Sequence, residues 1–293
     1  MPRWAGVGLL LLIATIFGSN HVAARIAFDH GTNVTTAVAF RSAGTALIVL
    51  MLLLFSGTSL KMGQRTFSHS VLIGLLVAVQ SYCLYSAVAL IPVALALLVF
   101  QTFPMLLSLI SWLGGGERPS RRVLLAMPVA LFGLALALDV YGKSGDIAGR
   151  WAEVGAGVLW ALGASISFAT AFFLITRWLG SMDGRVRSFL FMSVVAAVTL
   201  AGGAVANAFV LPADGTGWTA LALLTLFYGT AITSTFVLLP KLGAVNNAAV
   251  LNFEPIAVLG LAWLILDQSV APLQILGAFI VVGSIVWMGT GRK

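Results

Sequence analysis

Apolar runs of about twenty residues follow one another along nearly the whole chain, separated by short breaks carrying charge, glycine or proline. A backbone surrounded by hydrocarbon must satisfy its own N–H and C=O groups, so each run reads as a helix. A span takes about 20 residues, and ten segments fit: Trp4–Ala27, Val34–Ser56, Ser68–Ala89, Val93–Leu113, Val123–Leu138, Ala152–Trp178, Ser188–Phe209, Thr216–Leu239, Val245–Leu266 and Pro272–Gly289. The faintest break is Leu90-Ile91-Pro92. Two helices are needed there because Ser68 to Leu113 is twice a span, and Pro92 divides it. Only 9% of residues are charged, against about 25% in soluble domains, so water could not solvate the surface. The expected class is an all-α integral membrane protein with ten transmembrane helices and no room for a soluble domain.

The net charge of +7 reads as the basic excess of cytoplasmic loops, not as a nucleic-acid surface, since no basic cluster is long enough to track a phosphate backbone. With the N-terminus cytoplasmic, twelve Lys and Arg fall on the cytoplasmic side; Arg25, Arg41, Lys143 and Arg150 fall on the other. Both termini are therefore expected in the cytoplasm of a multi-pass protein. Arg3 followed by Ala5 to Phe17 has the outline of a signal peptide, but the repeat described next argues that this helix is retained. Cys83 is the single cysteine, so no internal disulfide forms, and no Cys/His metal spacing occurs. No metal and no cofactor are expected.

Trp4-Ala5-Gly6-Val7-Gly8 recurs as Trp151-Ala152-Glu153-Val154-Gly155, and Gln101-Thr102-Phe103-Pro104 is echoed by Asn252-Phe253-Glu254-Pro255. The offsets are 147 and 151 residues. The halves are residues 1–143 and 144–293, five helices each. Five is odd, so the second half enters from the opposite face, giving the inverted repeats common in secondary transporters, whose substrate sites lie near the midplane.

Two five-helix repeats, each with a proline in its fourth helix and an acid or amide at that helix's end, resemble the EamA-type branch of the drug/metabolite transporter superfamily. The residues carrying the resemblance are Trp4 to Gly8, Gly18-Ser19-Asn20, Arg41, Gln101 to Pro104, Glu117-Arg118-Pro119, Asn252 to Pro255 and Asp267-Gln268. They cover essentially the whole chain. Many members of the family carry Glu where this chain has Gln268. Within the branch the chain looks like the YddG-type amino-acid exporters of bacterial inner membranes. The resemblance implies alternating-access export of amino acids, broad in range and including aromatic ones, or of similar small metabolites, without enzymatic chemistry. Its implied partners are the small-molecule substrate and membrane lipid, with no nucleic acid, in a monomer.

Polar side chains inside a membrane are costly unless they face a partner or cavity, so they mark the candidate site. Glu254 lies about 14 Å into its predicted helix, and the repeat maps Gln101 onto Asn252. Glu254 reads either as a ligand for an ammonium group or a proton-coupling carboxylate, or as a structural acid. Pro104 and Pro255 read as gating kinks or as packing features. Gln80, Tyr82 and Tyr85 form a polar aromatic set, the two tyrosines sharing a face by their spacing. With Trp160, Tyr228 and Asn20 they line a cavity or serve only as packing. His21 reads as an interfacial hydrogen-bonded histidine rather than a proton relay. Few Lys or Arg are counted inside the spans, which argues against a strongly anionic substrate. Walker-type phosphate loops are lacking, and His21, His30 and His69 are scattered, which disfavours ATP-driven pumping and a membrane enzyme. A channel would show a ring of charges or carbonyls.

Orientation is testable with single cysteines at Ser59 and Gly145 in a Cys83-free background. An impermeant thiol reagent applied to intact cells is expected to label position 145 and spare 59; the reverse pattern overturns the topology.

Overall fold

The computed structural model describes residues 3–116, 118–119, 121–139, 147–242, 253–268 and 271–289. Among these, all regular structure is helical: α1 (Arg3–Asp29), α2 (Val34–Phe55), α3 (Gln64–Leu90), α4 (Val93–Phe100), α5 (Phe103–Leu113), α6 (Arg121–Ala137), α7 (Ile147–Trp178), α8 (Gly184–Val205), α9 (Gly215–Leu242), α10 (Glu254–Leu266) and α11 (Pro272–Gly289). Seven units are long and apolar enough to cross a membrane: α1, α2, α3, the α4–α5 pair taken together, α7, α8 and α9. The other three expected segments correspond to α6, α10 and α11, which are shorter. At 1.5 Å per residue the 13 residues of α10 extend about 20 Å.

The loops are fastened by local chemistry. Asn33 caps α2, its side-chain oxygen accepting from the Thr36 N–H at 3.0 Å, and its amide nitrogen donates to the Ala208 carbonyl. At the same end Asp214 pairs with His30 at 2.7 Å and accepts from the Gly217 N–H at 2.8 Å. That N–H and His30 hold the Asp214 carboxyl below the usual carboxylate range. Arg25 reaches the Val88 and Ala89 carbonyls at 3.2 and 3.3 Å, satisfying groups that the last turn of α3 leaves free. Arg177 does the same at the end of α5, donating to the Gly114 carbonyl at 3.0 Å.

The principal neighbours are α1 with α9 and α10, α7 with α3 and the α4–α5 pair, α2 with α8 and α9, α3 with α8, α4 with α10, and α6 with α11. Exchanging α1, α2, α3, the α4–α5 pair and α6 for α7, α8, α9, α10 and α11 carries this set onto itself. Every residue from Val93 to Val99 in α4 is buried, so this short helix lies inside the bundle, while residues such as Leu54, Phe55 and Leu264 face outward. An apolar exterior around an apolar core is the arrangement expected where lipid replaces water.

The fourth predicted helix departs from expectation. The sequence suggests a kink from Pro104, yet Pro104 is the second residue of α5, where its missing N–H would have had no helical partner. The break falls earlier, at Gln101-Thr102, where the Thr102 N–H bonds the Val99 carbonyl in a tightened turn. Pro255 likewise stands second in α10. Glu254 is therefore the first residue of a described helix; the part of the expected span that precedes it, Val245 to Asn252, lies outside the described residues.

α6 and α11 approach closely because each presents a glycine. A Cβ on Gly277 would strike the Gly133 carbonyl and the Ala137 backbone, and one on Gly133 would meet the Gly277 carbonyl at 2.9 Å. Gly277→Leu is expected to force these backbones apart at a cost of about 1–3 kcal/mol, read as a lower melting temperature in detergent. Gly283→Leu on the same helix points into open space and is expected to stay within about 0.5 kcal/mol of the parent.

Candidate functional site

Four side chains that the sequence scatters across 234 positions meet beside one cavity: His21 from α1, Arg41 from α2, Gln80 from α3 and Glu254 from α10. His21 lies eight residues before the end of α1, and Arg41 seven residues after the start of α2. Both are thus about 12 Å from the same helix ends, well inside the apolar layer. The cavity measures about 300 Å³ and is also lined by Gln101, Tyr228 and the phenyl rings of Phe17, Phe100, Phe103 and Phe168.

Arg41 is the electrostatic centre. It is 3% exposed. Its guanidinium carbon lies 4.8 Å from the Tyr85 ring centroid and 4.2 Å from that of Tyr228. One terminal nitrogen donates to the Ser81 hydroxyl at 2.7 Å. Its Nε is buried without a hydrogen-bond partner. Cation–π contact is strongest where both groups are desolvated, so the two rings hold the charge while the N–H edge is only partly committed, to Ser81. The Tyr85 hydroxyl donates to Asn20 Oδ1 at 2.6 Å, and the Asn20 amide donates back to the Phe17 carbonyl. Asn20 and Tyr85 are thus the frame behind Arg41, both 0% exposed.

Glu254 lies 3.5 Å from His21 Nε2. The first turn of a helix favours a negative charge through its unsatisfied N–H groups, so α10 itself stabilises the carboxylate. His21 Nδ1 is buried without a partner. His21, expected as a hydrogen-bonded histidine toward the outer end of the first helix, is buried in the bundle beside the Glu254 carboxylate.

On the cavity's other side Gln101 sits at the α4–α5 break. The carbonyls that the break frees are bonded: Ser165 from α7 donates to Phe100 at 2.9 Å and Thr102 donates to Val99 at 2.9 Å. Phe103 and Phe168 pack edge to face at 5.0 Å.

The predicted set divides. Gln80, Gln101, Tyr228 and Glu254 line the cavity; Tyr85 and Asn20 lie directly behind Arg41. Tyr82 and Trp160 do not join them. They pack against each other at 6.3 Å, 39% and 40% exposed, in an apolar groove among α3, α7 and α8 with Ala78, Val198 and Gly202. Tyr82 and Tyr85 are only about 60° apart around the helix, yet they do not share a surface, because the edge of the bundle passes between them: Tyr82 is 39% exposed and Tyr85 is fully buried. Asn252 lies outside the described residues. On sequence alone Arg41 counts with the basic residues of the outer side and is not named among the site residues. Its signal was its place seven residues inside an apolar run, where an ionisable residue marks a site by default.

The repeats and the fold then meet the comparisons with known proteins. The family model of the EamA-like transporters matches residues 4–138 and again residues 155–290. The chain belongs to the EamA-like transporter family. It is a multi-pass membrane transporter built from two EamA repeats, and members of this family are transporters of small metabolites rather than enzymes. A solved crystal structure superposes on 98% of this EamA-like chain and 98% of its own length, with a TM-score of 0.66 at 19% identity, a likeness of fold alone. No curated protein sequence matches it.

The Tyr85 hydroxyl gives a direct test of the frame. Tyr85→Phe keeps the ring against Arg41 but leaves Asn20 Oδ1 unsatisfied, with an expected loss of about 1–2 kcal/mol. Thermal unfolding of the purified variant measures it; an unchanged melting temperature would mean that the bond contributes nothing.

Proposed function

We propose that this EamA-like chain is a secondary transporter that exports amino acids, broad in range and including aromatic ones, by alternating access. We further propose ten membrane helices in two inverted halves, in a bacterial inner membrane with both termini cytoplasmic, as in the YddG-type exporters. The observation that carries the substrate class is a single cavity bearing Arg41 and Glu254, opposite charges, within walls of four phenyl rings and one phenol. An amino acid is a small zwitterion with a variable and often apolar side chain. Its ammonium matches Glu254, and amides such as Gln80 and Gln101 suit its polar remainder. Phosphorylated sugars fit less well, since a dianion calls for paired cations and Glu254 would repel it.

The neighbour set that maps onto itself on exchange of the halves supports a twofold relation between them. An odd number of spans per half makes that relation an inversion. Pro104 and Pro255, each opening a half-helix beside the cavity, are proposed to shape the gates there. The groove at Tyr82 and Trp160 is proposed as a peripheral contact for substrate, separate from the central cavity.

Purified protein in liposomes should exchange labelled amino acids in preference to nucleosides and sugar phosphates. Glu254→Gln keeps the shape and removes the charge, with an expected loss of about tenfold or more in amino-acid exchange at an unchanged melting temperature. Exchange of sugar phosphates without any amino acid would reject the substrate class. A lower melting temperature with normal exchange per folded molecule would make Glu254 structural.

A further inference from the structure

The surroundings of Arg41 are incomplete in a way that specifies what completes them. Arginine has five N–H donors in one plane and keeps its charge at any accessible pH. Tyr85 and Tyr228 flank the guanidinium, but ring faces satisfy no in-plane N–H geometry. Ser81 takes one donor, and Nε has none. Among the described residues no carboxylate lies within ion-pair distance of Arg41; Glu254 lies instead beside His21, at 3.5 Å. A permanent cation that is 3% exposed thus lines a cavity with donors to spare and no anion of its own.

We infer that Arg41 receives a single carboxylate of the transported molecule on the N–H edge of its guanidinium, and that a free carboxylate is the group by which the site selects. The assignment rests on the transporter reading above and narrows its substrate class. The edge of a guanidinium pairs with a carboxylate through two parallel hydrogen bonds, whereas an amide or an alcohol offers no charge. Among the described residues Arg41 is the one Lys or Arg on the cavity wall, so it neutralises one negative charge. The phenyl rings of Phe17, Phe100, Phe103 and Phe168 take the apolar remainder.

Four compounds separate the groups: phenylalanine carries carboxylate and ammonium, phenylalaninamide and phenethylamine carry the ammonium alone, and 3-phenylpropionate carries the carboxylate alone. Apparent affinities are read from the concentration dependence of the melting temperature in detergent, with exchange in liposomes measured alongside. Phenylalanine is expected to bind wild-type protein about 10- to 100-fold more tightly than its amide or phenethylamine, and 3-phenylpropionate is expected to bind. The gap should close in Arg41→Gln and close only partly in Arg41→Lys, which keeps the charge without the fork. If the Arg41 variants do not fold, the wild-type comparison decides alone. Equal affinity for phenylalanine and phenethylamine, a gap that persists in Arg41→Gln, or no binding by any of the four overturns the assignment. Arg41-dependent binding of 3-phenylpropionate without exchange of any amino acid would sustain it while rejecting the amino-acid reading.

Discussion

A guanidinium placed inside a bilayer cannot escape by losing its proton. The protein must either solvate it internally or bear a cost of several kcal/mol. That constraint orders the centre of this molecule. Arg41 is held from α2 between rings supplied by α3 and α9, with the Ser81 hydroxyl as one hydrogen-bond partner. The Tyr85 ring is in turn fixed by Asn20 of α1. Four helices are thereby tied to one charge. Each tie uses a group that holds the guanidinium without neutralising it, which is the combination a binding site requires and a purely structural ion pair does not.

Much of the scaffold was legible in the sequence, because the bilayer writes its thickness into the length of the apolar runs. Segment existence, the break at Pro92 and the two repeats all follow from run length and spacing. What escaped was side-chain direction. Arg41 was counted with the basic residues of the outer side, since charge near the end of a run looks alike whether it snorkels to the interface or turns inward. Tyr82 and Tyr85 were taken as one face because residues three apart are neighbours on a helix, yet the edge of the bundle runs between them. The α4–α5 break was attributed to Pro104, although a proline at the second position of a helix costs it nothing. In each case local spacing was read correctly, and the deciding fact was which neighbouring helix lay alongside.

The two halves share architecture without sharing chemistry. The 147-residue offset that carries Trp4 onto Trp151 carries Gly18 onto Ser165, and the 151-residue offset that carries Pro104 onto Pro255 carries Phe103 onto Glu254. At the first-half break, Ser165 supplies a hydroxyl that bonds the Phe100 carbonyl across the interface between α7 and α4. At the corresponding place in the second half Gly18 has no side chain at all. A Cβ there would meet Val258 at 2.6 Å and lie 3.5 Å from the Glu254 carbonyl. One interface is joined by a hydrogen bond, worth about 0.6 kcal/mol in a typical membrane protein, and the other by close backbone approach. The second pair of substitutions completes the contrast, with an apolar ring opening α5 and a carboxylate opening α10. The cavity draws Phe17, His21, Arg41, Phe100 and Phe103 from the first half and Phe168, Tyr228 and Glu254 from the second, so each half brings rings and ionisable groups, but not the same ones at matching positions, and duplicated halves present an asymmetric site.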